Sequence, residues 1–380
     1  MIILNKKIVI IHNIIAPYKV ALFNELSKLI PNLMVIFIAE KEKRRDWNID
    51  YTKINFPYTL LFKGSIDCVS SFTIAKKTWK ILESIRPETS IICDYSNVFG
   101  WISLLWAKKN KNKLIFWLAS TFEDKKHFFP KEQIKHFFLK HFHLYLAPGI
   151  KTKQYLEYMK ADSSKIVITG YGVENDYYLS EYNNYKDQTI TNTFNNIGTT
   201  KNFLFVGRLS PEKNIISMLQ AFSAVCGLDK NWGLLILGNG QQKPEIESFI
   251  LKNNLKDQIH MIGYIQQNEI SKYYTLSDVL ILPSISEPWG LVVNEAMLCS
   301  MPIIVSNRCG CEPELVKEGI NGFSFDPYDI HKLQLLMQCF IEAKYDIELM
   351  GKESLNIVKQ HSPQNIASAI SKKINGLNFD

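Results

Sequence analysis

The chain has 380 residues, 46% of them hydrophobic and 12% aromatic, and a mean hydropathy of −0.07. One hydrophobic core stops growing at roughly 250–300 residues, so two domains are expected and a disordered chain is excluded. The formal charge of +7 is uneven: residues 1–195 carry 28 Lys/Arg against 18 Asp/Glu (+10), and residues 196–380 carry 16 against 19 (−3).

No stretch approaches the ~20 apolar residues of a membrane span. The opening MIILNKKIVIIHN has its lysines between apolar runs, which fits a first strand and not a signal peptide. Short apolar runs then alternate with amphipathic stretches: KIVIIHN before YKVALFNELSKLI, NLMVIFIAE, SIICDYS before WISLLWAKK, KLIFWLAS, and LYLAPG before KTKQYLEYM. This is the pattern of βα units around a parallel sheet. A second series runs from FLFVGRL at residue 203 through WGLLILGNG, IHMIGYI, VLILPS and PIIVSN, with a helical stretch after each. The Asn/Thr-rich segment 181–202 between the series has no sustained period. The expected organisation is an N-terminal Rossmann-like domain over 1–180, a polar linker over 181–202 and a C-terminal Rossmann-like domain over 203–358. A closing helix over 359–380 would pack back toward the first domain. The fold class is therefore α/β, two doubly wound domains facing each other across a cleft, where chemistry is expected.

Seven cysteines form an odd set without a C-x-x-C pair, which fits reduced thiols in a cytosolic protein. Cys309 and Cys311 are too close together for the usual zinc spacing and have no His nearby, so no metal is expected. No nucleic-acid motif accompanies the basic half, which suits an anionic membrane surface or an anionic acceptor instead.

The stretch SEPWGLVVNEAM, 286–297, follows one apolar run and precedes another, so it is a strand-end loop leading into a helix. Gly290 opens that helix, and the amides of Gly290, Leu291 and Val292 point outward as unpaired donors suited to a phosphate. Glu287 and Glu295 would repel a phosphate alone. They suit hydroxyls on either side of one: Glu287 those of a transferred sugar, Glu295 those of a ribose. A nucleotide-diphosphate sugar supplies both, whereas singly each Glu reads as an ordinary solvated acid. Arg208 and Lys213, after FLFVG, are placed to neutralise the diphosphate. Gly238 lies in a second strand-end loop, LGNGQQ.

The segments FVGRLSPEKNI, LILGNGQQKPEIE, MIGYI and PSISEPWGLVVNEAMLCSMPIIVSNRCGCEPELVKEGINGFSF resemble the donor domain of family 4 retaining glycosyltransferases, glycosyl transferases group 1, which have the GT-B fold. The resemblance covers about residues 201–330. It implies catalytic roles for Arg208, Lys213 and Glu287, and donor contacts at Glu295, Gly290, Leu291, Val292, Gly207, Gly238, Gly263 and Tyr264. Trp289 stands where Phe is commoner, and Asn214 where Gly often follows the Lys. In the first domain HNIIAPYKVALFNEL resembles the strand-loop-helix of relatives with a P-Y-[RK]-x-x-L-F-N pattern, which implies acceptor-side roles for Asn13, Pro17, Tyr18 and Lys19. Asp94 and Ser120 follow apolar runs and are acceptor-side candidates by position. The segment 125–143, rich in Lys, His and Phe, reads either as a core-packing helix or as a basic helix resting on anionic lipid.

The expected function is retaining transfer of a hexosyl or N-acetylhexosaminyl group from a UDP- or GDP-linked sugar to a glycan or lipid-linked acceptor. The expected setting is bacterial polysaccharide or lipopolysaccharide synthesis in the cytoplasm, at the inner face of the membrane. No D-x-D occurs and no further cofactor is required. The alternative is a non-catalytic nucleotide-sugar-binding or scaffolding subunit; a nicotinamide-dependent oxidoreductase is disfavoured because no complete G-x-G-x-x-G is present.

Overall fold

The computed structural model describes residues 7–43, 47, 49–124, 129–186 and 198–376, and divides into two compact units, Met1–Tyr171 with Pro363–Asp380, and Gly172–Ser362. In the first unit seven strands form one parallel sheet: β1 (Ile8–Ile14), β2 (Leu33–Lys41), β3 (Tyr58–Ser65), β4 (Thr89–Ile92), β5 (Lys113–Trp117), β6 (Leu144–Ala147) and β7 (Ile166–Ile168), in the order β3-β2-β1-β4-β5-β6-β7. Ile8 pairs with Leu33 on one side and with Thr89 on the other. Central strands such as β1 are continuous aliphatic runs because both faces are covered. Val9 and Ile11 join a cluster with Phe116, Phe138 and Phe142, while Ile8 and Ile10 join Phe23, Leu26 and Trp117.

The second unit repeats this plan with six parallel strands: β8 (Lys201–Val206), β9 (Trp232–Leu237), β10 (Ile259–Gly263), β11 (Val279–Leu282), β12 (Ile303–Ser306) and β13 (Gly322–Phe325), in the order β10-β9-β8-β11-β12-β13. Strand order reverses between β1 and β4 in the first sheet and between β8 and β11 in the second. Ligands of doubly wound sheets bind at the carboxyl ends beside such reversals.

The unit boundary differs from the expected one. Residues 175–186 form a helix, Asn175–Lys186, that belongs to the second unit, so the first unit ends at Tyr171 and residues 181–186 are not linker. That helix buries only Asn175 and Tyr178, and its mostly polar surface reads as linker in the sequence. Residues 187–197 of the expected linker lie outside the described residues, and β8 starts at Lys201, inside the expected linker. The short helical turn Lys359–His361 stays with the second unit, whereas the last helix, Pro363–Asn375, buries Ile366, Ala367, Ile370 and Ile374 against Phe23, Leu26 and Ile30 of the first.

Candidate active site

The loops after β8 and β11 flank the reversal in the second sheet and, with the helix Leu291–Leu298 that follows the second, carry most of the expected donor residues. Ile285 donates its amide to the Glu212 carbonyl at 2.9 Å, which ties the two loops together. Across them the Lys213 ammonium pairs with the Glu287 carboxylate, both side chains largely buried. Arg208 is more exposed and pairs with Glu212, four residues on, at 3.0 Å. Each expected cation is thus matched to a carboxylate.

Three glycines lie at the carboxyl ends of β8, β9 and β10. Gly207 donates its amide to the Leu237 carbonyl at 3.0 Å, and Gly238 donates to the Gly263 carbonyl at 2.8 Å. At Gly238, where φ is +140°, a methyl group would lie 1.8 Å from the Gly207 carbonyl oxygen, so only glycine lets the loops after β8 and β9 meet. Tyr264, next to Gly263, is half exposed.

Gly290, at φ +101°, is the N-cap of the helix Leu291–Leu298, which has no side-chain cap and no acidic residue in its first turn. The amides of Leu291 and Val292 therefore have no intrahelical acceptor. The preceding EPWG turn is braced from behind: Gly310 donates to the Glu287 carbonyl at 2.9 Å and Cys311 to the Trp289 carbonyl at 3.0 Å. Trp289 is buried and donates its indole N–H to Asn294 Oδ1 at 2.8 Å. Asn214 adopts φ +56°, the left-handed conformation that favours Gly or Asn, and donates to the Pro327 carbonyl at 2.7 Å.

Glu295 lies one helical turn further in, partly exposed but desolvated. Tyr274 donates its hydroxyl to Glu295 Oε2 at 2.6 Å, and Tyr178 offers a second hydroxyl to the same carboxylate. Burial pushes the Glu295 pKa up to about 7 against the opposing pull of these hydroxyls. The two tyrosines carry no motif, and only the fold reveals their role.

In the first unit Pro17 opens the helix Pro17–Leu29 and Asn13 sits near the end of β1. The Tyr18 ring meets those of Trp47 and Tyr171 edge-on, and Lys19 is buried over Trp117 and Tyr171. Asp94 spends both carboxylate oxygens on its own loop, accepting from the Ser96 amide and hydroxyl at 2.5 and 2.7 Å and from Asn97 Nδ2 at 2.5 Å. Ser120 is half-buried in the loop after β5. Residues 125–128 of the Phe-rich segment lie outside the described residues. The helix Phe129–Leu139 that follows, with its flank, buries Phe138 and Phe142 and leaves Ile134 and Phe137 exposed. Among the described residues no group of three His, Cys, Asp or Glu is placed to hold a metal ion, and no helix is long and apolar enough to cross a membrane. All seven cysteines are free thiols.

Two doubly wound parallel sheets in one chain, with phosphate-suited loops at the reversal of the second, define the GT-B class. Anabaena HepE in complex with UDP shares the fold at a TM-score of 0.76 and 15% identity, over 98% of this chain and 100% of that one. Sucrose-phosphate synthase from Thermosynechococcus elongatus does so at 0.76 and 14%, over 98% and 99%. Residues 187–372 match the family described as Glycosyl transferases group 1. That match spans just under half of the chain, and with the similarities below it indicates a transferase of the glycosyltransferase class. It is 24% identical over 271 residues to the alpha-monoglucosyldiacylglycerol synthase of Acholeplasma laidlawii, covering 68% of this chain and 67% of that protein. An uncharacterized glycosyltransferase of Methanocaldococcus jannaschii is 30% identical over 234 residues, 60% of this chain and 64% of that protein.

Proposed function

We propose that the protein transfers a sugar from a nucleotide-diphosphate sugar to a glycan or lipid-linked acceptor, with retention at the anomeric carbon. The observation that carries this reading is the Lys213–Glu287 pair at the reversal of the second sheet, beside the uncapped helix at Gly290. A diphosphate placed there takes over both cations: Arg208 exchanges Glu212 for phosphate oxygens, and Lys213 exchanges Glu287. The released Glu287 accepts from hydroxyls of the transferred sugar, and Glu295, held by Tyr274, accepts from those of the ribose.

As the bond from the anomeric carbon to the diphosphate oxygen breaks, negative charge grows on the diphosphate. Arg208, Lys213 and the helix amides are fixed to stabilise it. The acceptor oxygen attacks from the face the diphosphate leaves, and its proton passes to the departing phosphate oxygen. No protein base is needed for that step, in keeping with an Asp94 carboxylate occupied within its own loop. Uridine is the favoured base because HepE binds UDP and UDP-glucose. A lipid-linked acceptor is favoured by the diacylglycerol-acting relative, and free thiols with a basic first half favour the cytoplasmic face of a membrane.

The test is the melting temperature of the wild type, Glu295→Ala and Arg208→Ala against nucleoside diphosphates and nucleotide sugars, since a ligand of the native state raises it. A wild-type shift with a uridine nucleotide that is lost in both variants is expected. Absence of any shift at concentrations well above millimolar would favour the scaffolding subunit.

A further inference from the structure

The first unit holds two buried donors for which the described residues supply no acceptor. Lys19, in the first turn of the helix Pro17–Leu29, is only 5% exposed. Its ammonium lies 4.0 Å from the centre of the Trp117 ring and 4.5 Å from that of Tyr171. Among the described residues no carboxylate or hydrogen-bond acceptor reaches it. The Trp117 indole N–H is itself buried without a hydrogen-bond partner. Aromatic faces return only part of the hydration a buried ammonium gives up, and an orphaned indole N–H adds to the deficit. Burial accordingly lowers the Lys19 pKa to about 8, with Cys93 acting in the opposite direction.

The position of these groups is that of a ligand site. Strand order reverses between β1 and β4. Lys19 follows β1, Cys93 follows β4 and Trp117 closes β5, so the ammonium reaches across three consecutive strand ends beside the reversal. The helix Pro17–Leu29 opens at Ala16 with no side-chain cap and no acidic residue in its first turn, which adds the positive end of its dipole to the same place. The one carboxylate next to Cys93, that of Asp94, is turned to Ser96 and Asn97 and does not compete.

We propose that this buried box is an oxyanion subsite, in which the Lys19 ammonium and the Trp117 indole N–H bind a phosphate or carboxylate carried by the acceptor. The assignment rests on the transferase reading above and gives its acceptor a charge class. An oxyanion there supplies the acceptor that both donors lack, beside the rings of Tyr18 and Tyr171, whose centres lie 5.6 Å apart.

The experiment follows the Trp117 indole N–H resonance of the full chain, assigned with Trp117→Phe, during titration with inorganic phosphate, glucose 1-phosphate, glucuronate and uncharged glucose. A saturable shift with at least one oxyanion and none with glucose is expected, and Lys19→Met should weaken that binding at least tenfold. A response to the phosphates alone assigns a phosphorylated acceptor, and one to glucuronate alone an acidic sugar. If Lys19→Met does not fold, Lys19→Arg keeps the charge and must keep binding within a few-fold. The subsite is overturned if no oxyanion moves the resonance, if the shift is undiminished in Lys19→Met, or if UDP alone produces it. A silent Trp117 in a protein whose melting temperature still rises with uridine nucleotide removes the subsite and leaves the transferase reading standing. An oxyanion response without any nucleotide response removes the transferase reading and keeps an anion site.

Discussion

Tyr274 donates its hydroxyl to Glu295 at 2.6 Å, joining the helix Gln267–Thr275 to the carboxylate proposed to hold the donor ribose. Tyr178 reaches the same carboxylate from the helix Asn175–Lys186. The acid is therefore held by hydroxyls from two helices.

This arrangement sets a pH dependence. The folded-state pKa of Glu295 is raised from 4.5 to about 7, mainly by desolvation. Between those values the unfolded chain ionises Glu295 while the folded chain keeps it protonated, so its contribution is fully present below 4.5 and is lost as pH rises through 7. Glu295→Gln removes the ionisation. Its melting temperature should gain on the wild type across this window by the equivalent of about 1–3 kcal/mol, and stay parallel to it above pH 8. A difference constant from pH 4 to 8 would remove the desolvated acid from the description.

The Lys213–Glu287 pair predicts coupled losses. Lys213→Ala leaves a largely buried carboxylate without its cation and removes a diphosphate contact, and Glu287→Ala removes a sugar contact and frees the lysine. Each should lower turnover by about 10²-fold or more, and the double variant should fall short of the product of the two because the residues act as a unit. Steady-state kinetics with a uridine-linked donor would read it. Independent, multiplicative losses would mean that the pair is a surface ion pair with no shared task.

Much of the architecture is legible in the sequence. Strands such as VLIL and IIVS read clearly because burial on both faces of a parallel sheet demands unbroken aliphatic runs. Glu287, Gly290 and Glu295 are also legible, since one loop-helix junction fixes their spacing. The pairing of Lys213 with Glu287 spans 74 residues, and nothing local to either announces it. Tyr178 and Tyr274 sit in polar helices where an aromatic residue reads as core filling, and the box around Lys19 is assembled from three separate strand ends. The helix Asn175–Lys186 is hidden because a helix with two buried side chains has a linker's composition.

Glycine contacts distinguish steric from conformational demand. Gly238→Ala would place a methyl 1.8 Å from the Gly207 carbonyl oxygen, whereas Gly263→Ala, at φ +90°, meets no atom within 4 Å. The first must push the loops after β8 and β9 apart and should cost more than about 3 kcal/mol and abolish nucleotide binding; the second should cost about 1–2 kcal/mol of backbone strain. Urea unfolding of both variants, with nucleotide-induced stabilisation, checks the order. Equal costs would show that these loops separate freely.

The helix Phe129–Leu139 and its flank present opposed Phe faces. Phe138 is wholly buried among Trp101, Phe116 and Phe142, and Phe137, one position away, is 54% exposed near His141 with Lys140 over its ring. Phe138→Ala should therefore destabilise the first unit by about 3–5 kcal/mol, and Phe137→Ala by less than about 0.5 kcal/mol. Lys135 does not belong to any exposed basic face, since it is buried against Glu132 at 2.6 Å and the Tyr155 hydroxyl at 2.9 Å. If the outer face rests on lipid, the exposed Ile134 and Phe137 supply the apolar contact and Lys140 the basic rim. Sedimentation with vesicles of anionic phospholipid should then fall several-fold in Ile134→Ser with Phe137→Ala, at unchanged melting temperature. Undiminished sedimentation would move any membrane contact to another face of the basic unit.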